Sequence, residues 1–166
     1  MFVANKNRFI VACVAAATLA SATPASFAAT ASASLTISAS VLASCTVVGS
    51  AIAFGAYTQS VVNQTGTITV QCTNGTAYNV GLDAGTGSGA TVSSRKMSAA
   101  GGGTLNYSLY RDAARSSNWG STIGTDTLIG TGSGLAQTLT VYGQIPAAQT
   151  PLAGAYSDTV TVTVTY

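Results

Sequence analysis

Residues 29–41 read ATASASLTISASV, and from Ala31 onward every odd position is apolar: Ala31, Ala33, Leu35, Ile37, Ala39 and Val41. Every even position through Ser40 is Ser or Thr. An unbroken period of two is the pattern of a half-buried β-strand, because successive side chains of a strand point to opposite faces. A strand with one clean apolar face needs a sheet to cover that face. Two arrangements satisfy the need. The stretch can pair within its own sheet, as first strands often do, or it can join the sheet of another copy. The pattern alone leaves both open.

Residues 1–28 read as a leader rather than as part of the fold. Lys6 and Arg8 make a basic start, residues 9–20 (FIVACVAAATLA) form a short apolar run, and Ser26-Phe27-Ala28 places small residues at −3 and −1 of a cleavage site. This is the layout of a secretory signal peptide. Its removal leaves about 138 residues, the size of one domain. No later run is long and apolar enough for a membrane anchor.

Loss of the leader changes the charge. The remaining cations are Arg95, Lys96, Arg111 and Arg115, and the remaining anions are Asp83, Asp112, Asp126 and Asp158. Four against four gives no net charge, so the sequence pI near 8.5 describes the precursor. A basic surface for nucleic acid is not supported. Charged residues are only 6% of the chain, so its surface is built from Ser, Thr, Gly, Asn and Gln. Such a surface does little to oppose self-association.

Cys13 leaves with the leader. Cys45 and Cys72 remain, an even number in an exported chain, and they are expected to form a disulfide. A loop of about 27 residues closed this way stabilises a fold by roughly 3–4 kcal/mol in the chain-entropy model.

Past residue 41 the sequence predicts a series of short strands. Residues 44–48 read as a buried strand, and residues 51–57 (AIAFGAY) as a short apolar segment with Phe54 in the core. Residues 63–66 (NQTG) read as a turn. Residues 67–72 form a strand with Ile68, Val70 and Cys72 inward, and Asn74-Gly75 is a turn. Residues 78–82 put Tyr78, Val80 and Leu82 on one side. Residues 84–90 and 99–103 are Gly-rich loops. Residues 104–110 put Leu105, Tyr107 and Leu109 on one face. Residues 111–119 form a polar connection ending in Trp119, and residues 136–145 hold a strand around Leu139 and Val141. Residues 156–166 (YSDTVTVTVTY) read as one long strand, with Val160, Val162, Val164 and Tyr166 on one face. No helical periodicity occurs outside the leader, so the expectation is an antiparallel all-β sandwich.

The ends of the chain bear on the opening question. A last strand that runs to Tyr166 leaves its own neighbour position uncovered, while a spare amphipathic strand extends from the other end. That combination suits head-to-tail strand addition. A heterologous contact that does not close on itself makes a filament.

The chain resembles the spore coat protein U domain family, which also supplies subunits of archaic chaperone–usher pili. The resemblance runs from about Leu35 to Tyr166. It rests on VLASCTV at 41–47, FGAY at 54–57, ITVQC at 68–72, VGLDAG at 80–85, RKM at 95–97, LNYSLY at 105–110, WG at 119–120, VYG at 141–143 and AGAYSDTV at 153–160. It implies an incomplete immunoglobulin-like β-sandwich lacking its last strand, with residues 29–41 as an N-terminal donor strand and 42–166 as the domain. It implies no enzymatic activity and no cofactor. In such subunits a periplasmic chaperone lends a strand until the extension of the next subunit replaces it at an outer-membrane usher. Carried over, Ala31, Ala33, Leu35, Ile37 and Ala39 are the donor residues. Val160, Val162, Val164 and Tyr166 form one wall of the acceptor groove and a chaperone contact, and Cys45 and Cys72 match the family's paired cysteines. The donor face departs in holding three Ala and only two larger aliphatics, each larger one worth roughly 1.5–3 kcal/mol on burial. The implied product is an extracellular pilus subunit that supports adhesion and biofilm formation. A coat protein outside any pilus and a surface-binding adhesin module are the alternatives.

Other motifs carry less. The chain has no His and no Glu, which excludes a Ser-His-Asp triad and His-ligated metal. Residues 85–90 (GTGSGA) fit a dinucleotide-loop pattern in letters but precede no helix. The Asn63, Asn74 and Asn106 glycosylation triplets mean nothing in a bacterial periplasm, where the resemblance places the chain. Asp112, beside Arg111 and near Arg115, suits a local ion pair. Trp119, Tyr107 and Tyr110 suit core packing more than a sugar-binding face.

Overall fold

The computed structural model describes residues 26–166. The leader expectation for residues 1–28 therefore lies outside them, apart from Ser26, Phe27 and Ala28. The chain divides between Ser38 and Ala39 into two units. Residues 26–44 enter no strand. In the first unit Leu35 and Ile37 are 84% and 85% exposed, so the apolar face of the alternating stretch is uncovered.

The second unit holds nine strands: β1 Cys45–Gly49, β2 Val62–Cys72, β3 Ala77–Leu82, β4 Arg95–Ala99, β5 Thr104–Tyr110, β6 Leu128–Thr131, β7 Gln137–Ile145, β8 Tyr156–Ser157 and β9 Val162–Thr165. They form a six-stranded sheet in the order β1-β2-β7-β5-β4-β8 and a three-stranded sheet in the order β6-β3-β9. Every pairing is antiparallel. No helix occurs among the described residues, so none there could cross a membrane. Alternation explains the packing. Ile68, Val70 and Cys72 of β2, Leu105, Tyr107 and Leu109 of β5, and Val141 and Ile145 of β7 face inward, opposite Tyr78, Val80 and Leu82 of β3. The turn at Asn74 and Gly75 forms as expected, with Gly75 at φ +80°, a conformation that suits a residue without Cβ.

Five expectations need correction. Residues 63–66 are not a turn but part of β2, in continuous register with β7, where Gly66 lies opposite Val141. Gly66 is there because Ile52 packs where its side chain would stand. Residues 44–48 are not a buried strand: β1 is an edge strand, and Val48 is 69% exposed on its outer face. Residues 156–166 are not one strand but two short ones in different sheets. Asp112 accepts from the Ser116 and Ser117 backbone amides and the Ser116 hydroxyl. Its neighbours turn elsewhere: Arg111 donates to the Thr127 carbonyl, and Arg115 lies 5.8 Å over the Tyr142 ring. The sequence reading also assigned no strand to residues 95–99, which form β4, or to residues 128–131, which form β6.

Trp119 is fully buried, with its indole N–H donating 2.8 Å to the Val80 carbonyl. It is a core residue and presents no sugar-binding face. The disulfide forms between Cys45 and Cys72, directly opposite each other on β1 and β2. Just before it, Ser44 exchanges backbone and side-chain hydrogen bonds with Thr73, whose hydroxyl also donates to the Leu42 carbonyl. Residues 42–45 are thus fastened to the end of β2.

Candidate strand-acceptor groove

The free edge of β9 is the first component of the site. Among the described residues β9 has one ladder partner, β3, with Val162 opposite Leu82 and Val164 opposite Val80. The Asp83 amide donates to the Thr161 carbonyl at 3.1 Å. In an antiparallel ladder hydrogen-bonded pairs alternate with non-bonded ones, so Thr161, Thr163 and Thr165 turn their backbone groups toward β3. Val162 and Val164 turn theirs outward, and Val160 continues the alternation. The same phase on β3 sends the Leu82 amide away from β9, to the Gly120 carbonyl. An edge of outward N–H and C=O groups is a template for another strand.

Two carboxylates end the ladder and carry the chain from one sheet to the other. Asp83 Oδ1 accepts from the Thr161 and Gly85 amides, 2.9 Å each. Its side chain stands in for its own carbonyl, which accepts instead from Arg95. Asp158 Oδ1 accepts from the amide and hydroxyl of Thr86 and from the Thr159 amide, 2.8 Å each, and Oδ2 accepts from the Tyr107 hydroxyl at 2.7 Å. Desolvation pushes both carboxyls up. The donors outweigh it and hold both below the ordinary Asp range, Tyr107 and Thr86 at Asp158, Thr161 and Gly85 at Asp83. Burial and the Asp158 contact push the Tyr107 phenol far up, so it stays a donor.

Residues 50–57 form the opposite wall. Beyond Ser50, whose amide donates to Thr67, they lie outside any ladder. Two glycines seat them: Ile52 fills the place of a Gly66 side chain, and the Phe54 ring fills that of Gly143. At the far end the Tyr57 hydroxyl donates to the Pro146 carbonyl and accepts from the Gln149 amide. The β1 and β9 walls meet where Gly49 lies against Val162.

Between the walls lie two hollows. The first, of about 550 Å³, is floored by Ile68, Leu82, Met97, Tyr107, Leu109 and Val141 and walled by residues 49–52 and Phe54 against residues 156–160 and Val162. The second, of about 600 Å³, runs on between residues 52–57 and 151–156 over Met97, Leu105 and Ile145. They share Ile52, Phe54, Met97 and Tyr156. Core side chains thus line an open trough flanked by unpaired backbone. That arrangement can take an extended segment with alternate apolar side chains.

Arg95, completely buried, braces the floor. Its guanidinium donates to the carbonyls of Asp83, Val92, Leu82 and Trp119 at 2.7–3.1 Å. Burial lowers its pKa, opposed by the nearby Tyr107, Asp83, Asp158 and Asp126.

Of the residues expected at the groove, Val160 and Val162 line the first hollow. Val164 packs against the core farther along β9, Tyr166 is 59% exposed, and neither lines a hollow. Ala31, Ala33, Leu35, Ile37 and Ala39 are all exposed. Sequence reading missed the wall at Ile52, the floor at Tyr107 and the brace at Asp158. The clue to the wall was an apolar 51–57 segment that lacks a strand's alternation.

The fold is an all-β sandwich of the chaperone–usher pilin type. The chain belongs to the Spore Coat Protein U domain family, whose model matches residues 31–163. It is 39% identical over 126 residues to Protein U of Myxococcus xanthus, covering 68% of this chain and 70% of that protein. A chain in the crystal structure of the CsuC–CsuE chaperone–tip adhesion subunit pre-assembly complex, from archaic chaperone-usher Csu pili of Acinetobacter baumannii, superposes with a TM-score of 0.56 at 23% identity. That match covers 76% of this chain and 40% of the other, so this chain spans less than half of its neighbour's length.

Proposed function

We propose that this protein is a structural subunit of a surface pilus, and that each copy donates residues 29–41 to the groove of the next. One observation carries the reading: the outward backbone of Val160 and Val162 borders a trough floored by core side chains. An exposed, period-two segment from a second copy matches it in kind. Ala31, Ala33, Leu35, Ile37 and Ala39 would enter the trough, and backbone pairing to β9 would supply much of the hold. A periplasmic chaperone would occupy the same edge before assembly, and an outer-membrane usher would be the place of exchange. The family and the pilin-type fold support export to the cell surface, where a fibre serves adhesion and biofilm formation.

The purified mature protein, run on a denaturing gel without boiling, should give a ladder of multimers that collapses to monomer on boiling. Deleting residues 29–41 should abolish the ladder. Multimers that persist after that deletion contradict the proposal. The likeness to Protein U supports a second reading, a coat protein assembled without a pilus. Monomer in both lanes would favour it.

A further inference from the structure

Building on the strand-acceptor reading, we infer that Asp158 and Tyr107 set the width of the groove and thereby select the strand it accepts. The partner selected is residues 29–41 of a second copy, whose apolar face carries only Ala, Leu, Ile and Val. A strand with an aromatic inner residue is rejected.

A line of contacts crosses the trough from wall to wall. On one side Asp158 belongs to the crossover between β8 and β9, and all four of its bonds are internal. Three donors converge on Oδ1 and the Tyr107 hydroxyl takes Oδ2, so the carboxylate, with about four acceptor sites, is already engaged within the fold and its role is positional. Its Oδ2 holds the Tyr107 hydroxyl, and Tyr107 is part of the floor. The Tyr107 ring packs against Phe54 of the opposite wall, centroids 6.0 Å apart and tilted by 60°. Phe54 is seated in turn on Gly143. The crossover wall cannot move outward without breaking the bonds to Thr86 and Tyr107. Among the described residues Asp158 is also the only charged one lining either hollow, so the fixed width coincides with the least adaptable place in the trough. Selection by fixed shape needs such an element, because an apolar groove alone takes any apolar strand.

The test offers the mature protein, during refolding, a labelled peptide of residues 29–42 in competition with three others carrying Ala33→Phe, Leu35→Phe or Ile37→Phe. Wild type should prefer the natural peptide over at least one Phe peptide by about tenfold or more, the usual discrimination of a shaped apolar pocket. Tyr107→Phe keeps the ring and removes the link to Asp158, and should cut that preference to about threefold or less. Asp158→Asn, in which the amide keeps one acceptor oxygen, should act in the same direction. A preference unchanged in both variants overturns the inference, as does equal uptake of all peptides by wild type. Uptake of no peptide by wild type overturns the strand-acceptor reading itself.

Discussion

Asp158 shows how much one side chain can hold. Its four donors come from Thr86, Tyr107 and Thr159, so it ties a loop, the floor and the crossover together. Asp158→Asn should cost about 1–3 kcal/mol, the range for a disrupted, partly buried hydrogen-bonded group, read from urea unfolding midpoints. The pH dependence has a definite sign. The folded-state pKa values of Asp83, Asp112 and Asp158 lie below the ordinary Asp value of 3.8. Their stabilisation is therefore fully present above the unfolded-state pKa and is lost as pH falls through the lower folded values. Stability should be flat with respect to these groups from neutrality to about pH 5 and decline below about pH 4. The Asp158→Asn curve should decline less steeply. At this scale the sequence was only partly legible. One Asp per turn, satisfied by amides, could be expected from four scattered carboxylates. Arg95 could not, although it stands in phase with Met97 at a strand's spacing. An inward Arg needs several carbonyls to converge on it, and Asp83, Val92, Leu82 and Trp119 meet only in the fold.

Local pattern identified most strands, because alternation reports which face is buried. Tyr78, Val80 and Leu82, and Leu105, Tyr107 and Leu109, lie on the faces their spacing indicates. Alternation failed where it did not change across a structural break. Residues 156–166 keep their period while the chain passes from β8 to β9, because both short strands send the same parity inward. Turn chemistry failed at residues 63–66. Gly66 looks like punctuation, yet its function is to leave room for Ile52, a residue distant in sequence. Gly66→Val should therefore act as overpacking and destabilise by about 1–3 kcal/mol. The same substitution at Gly101, where an added Cβ meets nothing within 4 Å, should have a much smaller effect. Thermal or urea unfolding of the two variants side by side makes the comparison.

As a whole, the second unit, residues 39–166, is a sandwich with the β1 and β9 edges left open beside one trough. The disulfide fastens β1, one of those edges, to β2 at Cys45 and Cys72. Replacing both cysteines by Ser should lower unfolding stability by roughly 3–4 kcal/mol, measured against wild type under oxidising conditions. The all-β class and the disulfide were readable from the chain, whereas of the trough only the wall at Val160 and Val162 was, through the family resemblance. A groove exists only where Ile52 and Phe54 from one part of the chain face Tyr156 and Val160 from another, with Tyr107 between them. The central claim is that a strand from another copy completes β9. Hydrogen exchange at the amides of Val160 and Val162 tests it most directly, because their N–H groups point outward from the β3–β9 ladder. In assembled protein these two amides should exchange at least about a hundredfold more slowly than in the chain lacking residues 29–41, since ladder hydrogen bonds protect them. Exchange at the same rapid rate in the assembled and truncated forms would show that assembly uses some other surface.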